Sequence, residues 1–151
     1  MRVTVHQGNE NPEQRRVLAL DVGKRRIGLA VSDPLGVTAQ GLDTLERTTI
    51  REDLARLAEI ASSKDVGLLL LGNPLHMSGR EGRQAEYVRE FAGRLGAATG
   101  LPVKFWDERL TTVEAQRVLR ESGISIAKRA RAVDRLAAVL LLESYLDACR
   151  S

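Results

Sequence analysis

Two short stretches restrict the fold of this chain more than any others: Val17–Leu20 (VLAL) and Val66–Leu71 (VGLLLL), neither of which contains a polar side chain. A strand with one wet face alternates apolar and polar residues. A strand without alternation is buried on both faces, so both faces of its sheet must be covered. The first run ends at Asp21 and passes through Gly23-Lys24-Arg25-Arg26 into a second apolar run, Ile27–Val31. That is the pattern of a β-hairpin with a carboxylate at the end of its first strand. Asp33-Pro34-Leu35-Gly36 signals another turn, and Val37–Leu45 reads as a third strand. An antiparallel meander therefore opens the domain.

The apolar period then changes. Leu54, Leu57, Ala58 and Ala61 recur at helical spacing over 49–62, and Thr49 with Glu52 forms a capping box at the start. After the strand at 66–71 and Gly72-Asn73-Pro74, a polar loop covers His76–Gly82 and contains Arg80, with Arg83 just beyond it. Ala85, Val88, Ala92 and Leu95 mark a second helix over about 84–98, stopped by Gly100 and Pro102. Val103–Trp106 is a fifth strand leading into Asp107-Glu108-Arg109. Thr111 and Glu114 make another capping box, for a helix to about Glu121. Ile124–Arg131 reads as a basic connector, and Val133, Leu136, Ala137, Leu140 and Leu141 line a last helix over about 132–148. The expected architecture is α/β: a five-stranded mixed sheet, an antiparallel meander plus two parallel strands, flanked by helices. Residues 1–16, polar after Val5, read as a flexible leader and 17–151 as one domain.

Right-handed crossovers make the strands at 66–71 and 103–106 parallel to the first. Ligands in such sheets sit beyond the carboxyl ends of parallel strands. Asp21, Gly72-Asn73-Pro74 and Asp107-Glu108 are then expected on one edge, and Asp33 on the other. Asp134 lies near the start of the last helix, close to its apolar face. Each acid has a plain alternative: a turn residue for Asp21, a surface ion pair for Asp107-Glu108, a helix-dipole partner for Asp134. Their convergence is what points to chemistry. Carboxylates without a His or Cys cluster suit Mg²⁺ or Mn²⁺, the ions of two-metal phosphodiester cleavage. Lys24, Arg25 and Arg26 beside Asp21, and Lys128, Arg129 and Arg131 ahead of Asp134, are placed to hold phosphates.

Composition narrows the partners. A net charge of +3 permits a nucleic acid. Aromatic residues make up only 3% of the chain, which argues against single-strand binding by base stacking. One cysteine, Cys149, excludes an internal disulfide and any Cys-based zinc cluster. No apolar run has the length of a membrane span, and residues 1–16 lack the apolar core of a signal peptide, so a cytoplasmic location with no membrane partner is expected.

Four blocks, LDVGKRRIGLAVSD, LGNPLHMSGREG, WDERLTTVEA and VDRLAAVLLLESYL, resemble the YqgF/RuvX family, small bacterial proteins related to the Holliday junction resolvase RuvC. The blocks extend from Leu20 to Leu146. The resemblance implies an RNase H-like fold and a nuclease maturing the 5′ end of pre-16S rRNA in ribosome biogenesis. It also carries the older proposal of Holliday junction resolution in recombination and repair. It places catalytic, metal-holding acids at Asp21, Glu108 and Asp134, with Asp107 as an added ligand. The nucleic-acid contacts fall to Lys24, Arg25, Arg26, Arg80, Arg83, Lys128, Arg129 and Arg131. The implied partners are RNA or branched DNA, with ribosomal particles, for a monomer or homodimer. Resolvases of the RuvC type carry two acids one turn apart on the last helix, whereas the positions one turn from Asp134 are Arg131 and Ala137. Two other readings stand beside this one. An ATP-binding protein of the actin and Hsp70 class shares the acid–glycine hairpin but needs two such domains. A non-catalytic ribosome-assembly module would keep the fold without turnover.

Overall fold

The computed structural model describes residues 15–73, 80–107 and 126–150. Five strands, β1 (Arg16–Val22), β2 (Arg26–Ser32), β3 (Ala39–Glu46), β4 (Val66–Asn73) and β5 (Val103–Asp107), form one sheet in the order β3-β2-β1-β4-β5. β2 is antiparallel to β1 and β3, while β4 is parallel to β1 and β5 to β4, as the crossover argument requires. Among the described residues three helices cover the sheet: α1 (Ile50–Ser63), α2 (Arg80–Thr99) and α3 (Ile126–Arg150).

The two unalternating runs are buried as their composition demands. Leu18, Leu20, Leu69 and Leu71 face one side, where Leu57 and Ala61 of α1 and Val88, Phe91, Ala92 and Leu95 of α2 complete the core. Val17, Ala19, Leu68 and Leu70 face the other side, against Ala138, Leu141, Leu142 and Tyr145 of α3. Neither run leaves a face open to water.

Local signals start and stop the elements at the expected places. The Thr49 hydroxyl accepts the Glu52 amide N–H at 3.1 Å and so caps α1. Gly100, with φ +73°, ends α2 in the left-handed conformation, and its N–H donates to the Gly96 carbonyl at 2.8 Å. Other boundaries move. β1 already includes Arg16, and β3 spans 39–46 where 37–45 was expected. α2 begins at Arg80, inside the stretch 76–82 that was expected to be a polar loop. Gly82 costs a helix only about 1 kcal/mol, which a long docked helix absorbs.

The stretch expected as a basic connector is also helical, from Ile126. Lys128, Arg129 and Arg131 therefore belong to α3, since Lys, Arg and Ala are good helix formers and nothing between Ile126 and Arg131 breaks the turn. The helix expected after Thr111 and the loop residue His76 lie outside the described residues.

On the side of the sheet that α1 and α2 cover, an ion pair is buried. Arg47, just past β3, bonds Asp53 of α1 at 3.1 Å, and the two side chains are 6% and 1% exposed. Asp53 also accepts the Thr48 amide N–H at 3.0 Å. Removing one member strands the other in a dry site, so Asp53→Ala is expected to cost about 3–5 kcal/mol, measured by urea unfolding. A loss below about 1 kcal/mol would show that water reaches Arg47.

Candidate active-site edge

The strand registers place the candidate acids. Leu20 of β1 is level with Leu71 of β4, and Asn73, which ends β4, is level with Asp107 of β5. Asp21, Asn73 and Asp107 thus share one edge of the sheet. Asp33 sits at the other, past the end of β2, where it organises a turn by accepting the amide N–H groups of Val37 and Thr38, each at 2.7 Å, and of Leu35 at 3.2 Å. The Thr38 amide above all, then those of Val37 and Leu35, holds its carboxyl below the ordinary 3.8. Asp33 has a structural task far from Asp21.

Alternation along β1 puts Asp21 on the same face as Val17 and Ala19, the face that α3 covers. Its antiparallel partner on β2 is Gly28. The backbone of Asp134 lies directly over that glycine: a Cβ built on Gly28 would stand 1.9 Å from the Asp134 carbonyl oxygen. Only a residue without a side chain lets α3 come this close. The sheet position opposite Asp21 is therefore where α3 delivers Asp134.

The buried stripe of α3 runs through Ala138, Leu141, Leu142 and Tyr145, and Asp134 stands one turn before Ala138 on that line. Val133, Leu136 and Leu140, expected in the core, are only half-buried because the helix is rotated to bring Asp134 and Ala138 inward. Asp134 Oδ2 accepts Arg26 Nε at 2.8 Å, with the two side chains 21% and 28% exposed. Burial raises the Asp134 carboxyl above its ordinary 3.8, while the Arg26 guanidinium opposes that rise. Arg26 precedes Gly28 by two residues, so alternation aims it at the same face. Its place in a basic run suggests a phosphate contact, and its acid partner shows only through this i, i+2 relation to Gly28.

The other candidates separate. Lys24 and Arg25 are exposed on the β1–β2 turn. Arg131 bonds Glu46 of β3 at 3.2 Å on the surface. Arg80 and Arg83 lie in the first turn of α2, and Lys128 and Arg129 in that of α3. Glu108 lies outside the described residues, immediately after the end of β5. Among the described residues no three His, Cys, Asp or Glu side chains are gathered as a metal cluster. Asp21 and Asp134 offer hard oxygen donors on one face, a donor type that suits Mg²⁺ or Mn²⁺.

Comparison with known proteins followed the same outline. The sequence profile of RuvX, described as Holliday junction resolvase, matches residues 15–148. A Koribacter versatilis protein named "Putative pre-16S rRNA nuclease" is 55% identical over 132 residues, 87% of this chain and 86% of that one. A Clostridium novyi protein of the same name is 49% identical over 132 residues, covering 87% and 98%. Among solved structures, Thermus thermophilus RuvC bound to a Holliday junction substrate superposes with a TM-score of 0.57 at 15% identity, covering 91% of this chain and 96% of that one. The Fowlpox virus resolvase in complex with Holliday junction DNA gives a TM-score of 0.56 at 10% identity, covering 90% and 99%. At those identities the structures establish the fold, which is RNase H-like.

Two outcomes test the geometry. Gly28→Ala forces α3 away from β2 and is expected to cost at least about 1–3 kcal/mol in urea unfolding. Wild-type stability in this variant would mean that α3 does not rest on Gly28. Well below pH 3.8 the Asp134 carboxyl is neutral in folded and unfolded chains alike. As pH rises through the raised folded value, the fold must carry a charge that the unfolded chain hydrates freely. Asp134→Asn is accordingly expected to raise the melting temperature near neutral pH and to leave it unchanged in strong acid, by calorimetry at both. A lower melting temperature near neutral pH would contradict the raised value.

Proposed function

The chain belongs to the RuvX family of Holliday junction resolvases, and from that membership we propose that it is a divalent-metal-dependent nuclease that processes the 5′ end of pre-16S rRNA. It hydrolyses phosphodiester bonds. What supports the reading at the level of residues is the juxtaposition of Asp21 with Asp134 across Gly28, in a chain whose relatives at 49–55% identity carry the rRNA nuclease name.

In this reading Asp21, Glu108 and Asp134 hold the metal, with Asp107 beside them as a further oxygen donor. A Mg²⁺ or Mn²⁺ ion bound there supplies a water of lowered pKa and stabilises negative charge on the phosphate. The remaining work falls to the chain itself. Lys24 and Arg25, exposed on the turn, bind the phosphates that flank the scissile bond. Arg26 orients the Asp134 carboxylate and keeps a positive charge next to it until the site is loaded. Arg80, Arg83, Lys128 and Arg129 extend the contact from the first turns of α2 and α3, and Arg131 joins them from the surface.

Location and assembly follow the substrate. Among the described residues no helix is long and apolar enough to cross a membrane. A protein that trims precursor rRNA works in the cytoplasm, on ribosomal particles, and needs no second copy for a single cut. A four-way junction calls for two symmetric cuts and hence a homodimer.

The test offers pre-16S rRNA, single-stranded RNA and a four-way DNA junction side by side at equal salt, with Mg²⁺ or Mn²⁺. Cleavage of the precursor near its 5′ end is expected, lost with chelator and lost in Asp21→Asn while the circular dichroism melt is retained. Equal cleavage by Asp21→Asn and wild type would expose a contaminating nuclease and sink the assignment. Cleavage of the junction alone would transfer the substrate to branched DNA.

A further inference from the structure

We propose that Arg47 is the positioning residue for the basic β1–β2 turn, and that its buried pair with Asp53 holds the turn backbone so that Lys24 and Arg25 face the substrate. The proposal rests on the nuclease reading, which gives that turn a phosphate to meet.

Arg47 touches the turn twice. Its Nη1 donates to the Gly23 carbonyl at 2.9 Å, and its own amide N–H donates to the Arg25 carbonyl at 2.9 Å. The turn is closed by the Gly23 N–H donating to the Arg26 carbonyl at 3.0 Å. Two of the turn carbonyls are thereby spoken for by one residue from the end of β3, and the exposed side chains of Lys24 and Arg25 project from a backbone that cannot roll. On its far side the guanidinium donates from Nε to Asp53 Oδ2 at 3.1 Å. Its carbon lies 4.9 Å from the ring centroid of Phe91 and 5.4 Å from that of Tyr87, both on α2.

This geometry explains why an ion pair is buried here at all. Desolvation offsets most of the Coulomb attraction of a buried pair, so such pairs are poor devices for stability alone. A planar guanidinium can meet a carboxylate, a turn carbonyl and two aromatic faces at once, in fixed directions. Lysine, a point charge on a flexible stem, cannot. The continuity is also specific: Asp53 holds Arg47, Arg47 holds the turn, and the turn ends in Arg26, which grips Asp134.

The experiment measures binding of a fluorescent single-stranded RNA by anisotropy over a series of KCl concentrations without divalent ions. The full chain is compared with Arg47→Met/Asp53→Asn, which leaves no buried charge behind, with Arg47→Lys, and with Lys24→Ala/Arg25→Ala. Each phosphate contact contributes about 0.7 to the slope of log K against log salt on a single strand. The Lys24/Arg25 variant is expected to lower the slope by roughly one to two such contacts. The Arg47→Met/Asp53→Asn variant, folded by circular dichroism, is expected to lower it equally. Combining the two should give no further loss, and Arg47→Lys should not restore the wild-type slope.

A residue that merely stabilises the fold would not move a salt slope measured below the melting transition. An unchanged slope in the Arg47 variants, with the Lys24/Arg25 slope reduced, overturns this proposal alone. An additive loss, or failure of both Arg47 variants to fold, overturns it as well. An unchanged slope in Lys24→Ala/Arg25→Ala overturns the phosphate role of the turn, and with it the reading on which the proposal stands.

Discussion

The contact on which the rest of the structure depends is the approach of α3 to the sheet at Gly28. A side chain at this strand position would hold the helix off the sheet, and the missing Cβ lets a helix carbonyl come down onto the strand itself. Asp134 thereby reaches the level of Asp21 without a long side chain to bridge the gap. The same approach explains the burial of Ala137 and Ala138, small residues in the following turn, before the stripe widens to Leu141, Leu142 and Tyr145. Trp106 of β5 then meets Tyr145 edge to face, with ring centroids 5.2 Å apart. The helix is closest where its residues are small and Gly28 lacks a side chain, and its larger side chains fill the core beyond.

That arrangement costs stability. Asp134 is a carboxylate held partly out of water, and one guanidinium offsets the burial only in part. Polar groups in strained electrostatic positions gather where function requires them. By contrast Asp33, at the opposite edge, receives three amide N–H groups and serves the turn it sits in. Two aspartates of the same hairpin, twelve residues apart in sequence, are thus sorted by what surrounds them: one donor-rich and settled, the other on the face to which a second acid is delivered.

Charge is distributed in the same way. Lys24 and Arg25 lie open to solvent on the turn, while Arg26 is turned toward α3 and the Arg47 side chain is buried against α1 and α2. Consecutive basic residues look interchangeable in a sequence. In a strand and its turn they alternate between faces, so one run supplies both an external contact surface and an internal counter-charge. The family to which the chain belongs is defined over 15–148, so this division of labour falls within the matched region.

Several features were determined by the sequence alone. The unalternating runs at 17–20 and 66–71 required a sheet covered on both faces, and crossover handedness then required Asp21, Asn73 and Asp107 to share an edge with Asp33 excluded. Capping at Thr49 and the glycine at 100 set helix ends through contacts only a few residues apart. These outcomes are legible because local chemistry and strand direction suffice to produce them. The rotation of α3, the partner of Arg26 and the partners of Arg47 were decided by tertiary structure. Arg47 bonds residues 24 and 6 positions away, and Arg26 one 108 positions away. A helix rotated by one position presents a different stripe at almost no local cost, so only packing chooses. Here the deciding contact was a backbone carbonyl against Gly28, for which no side-chain pattern speaks.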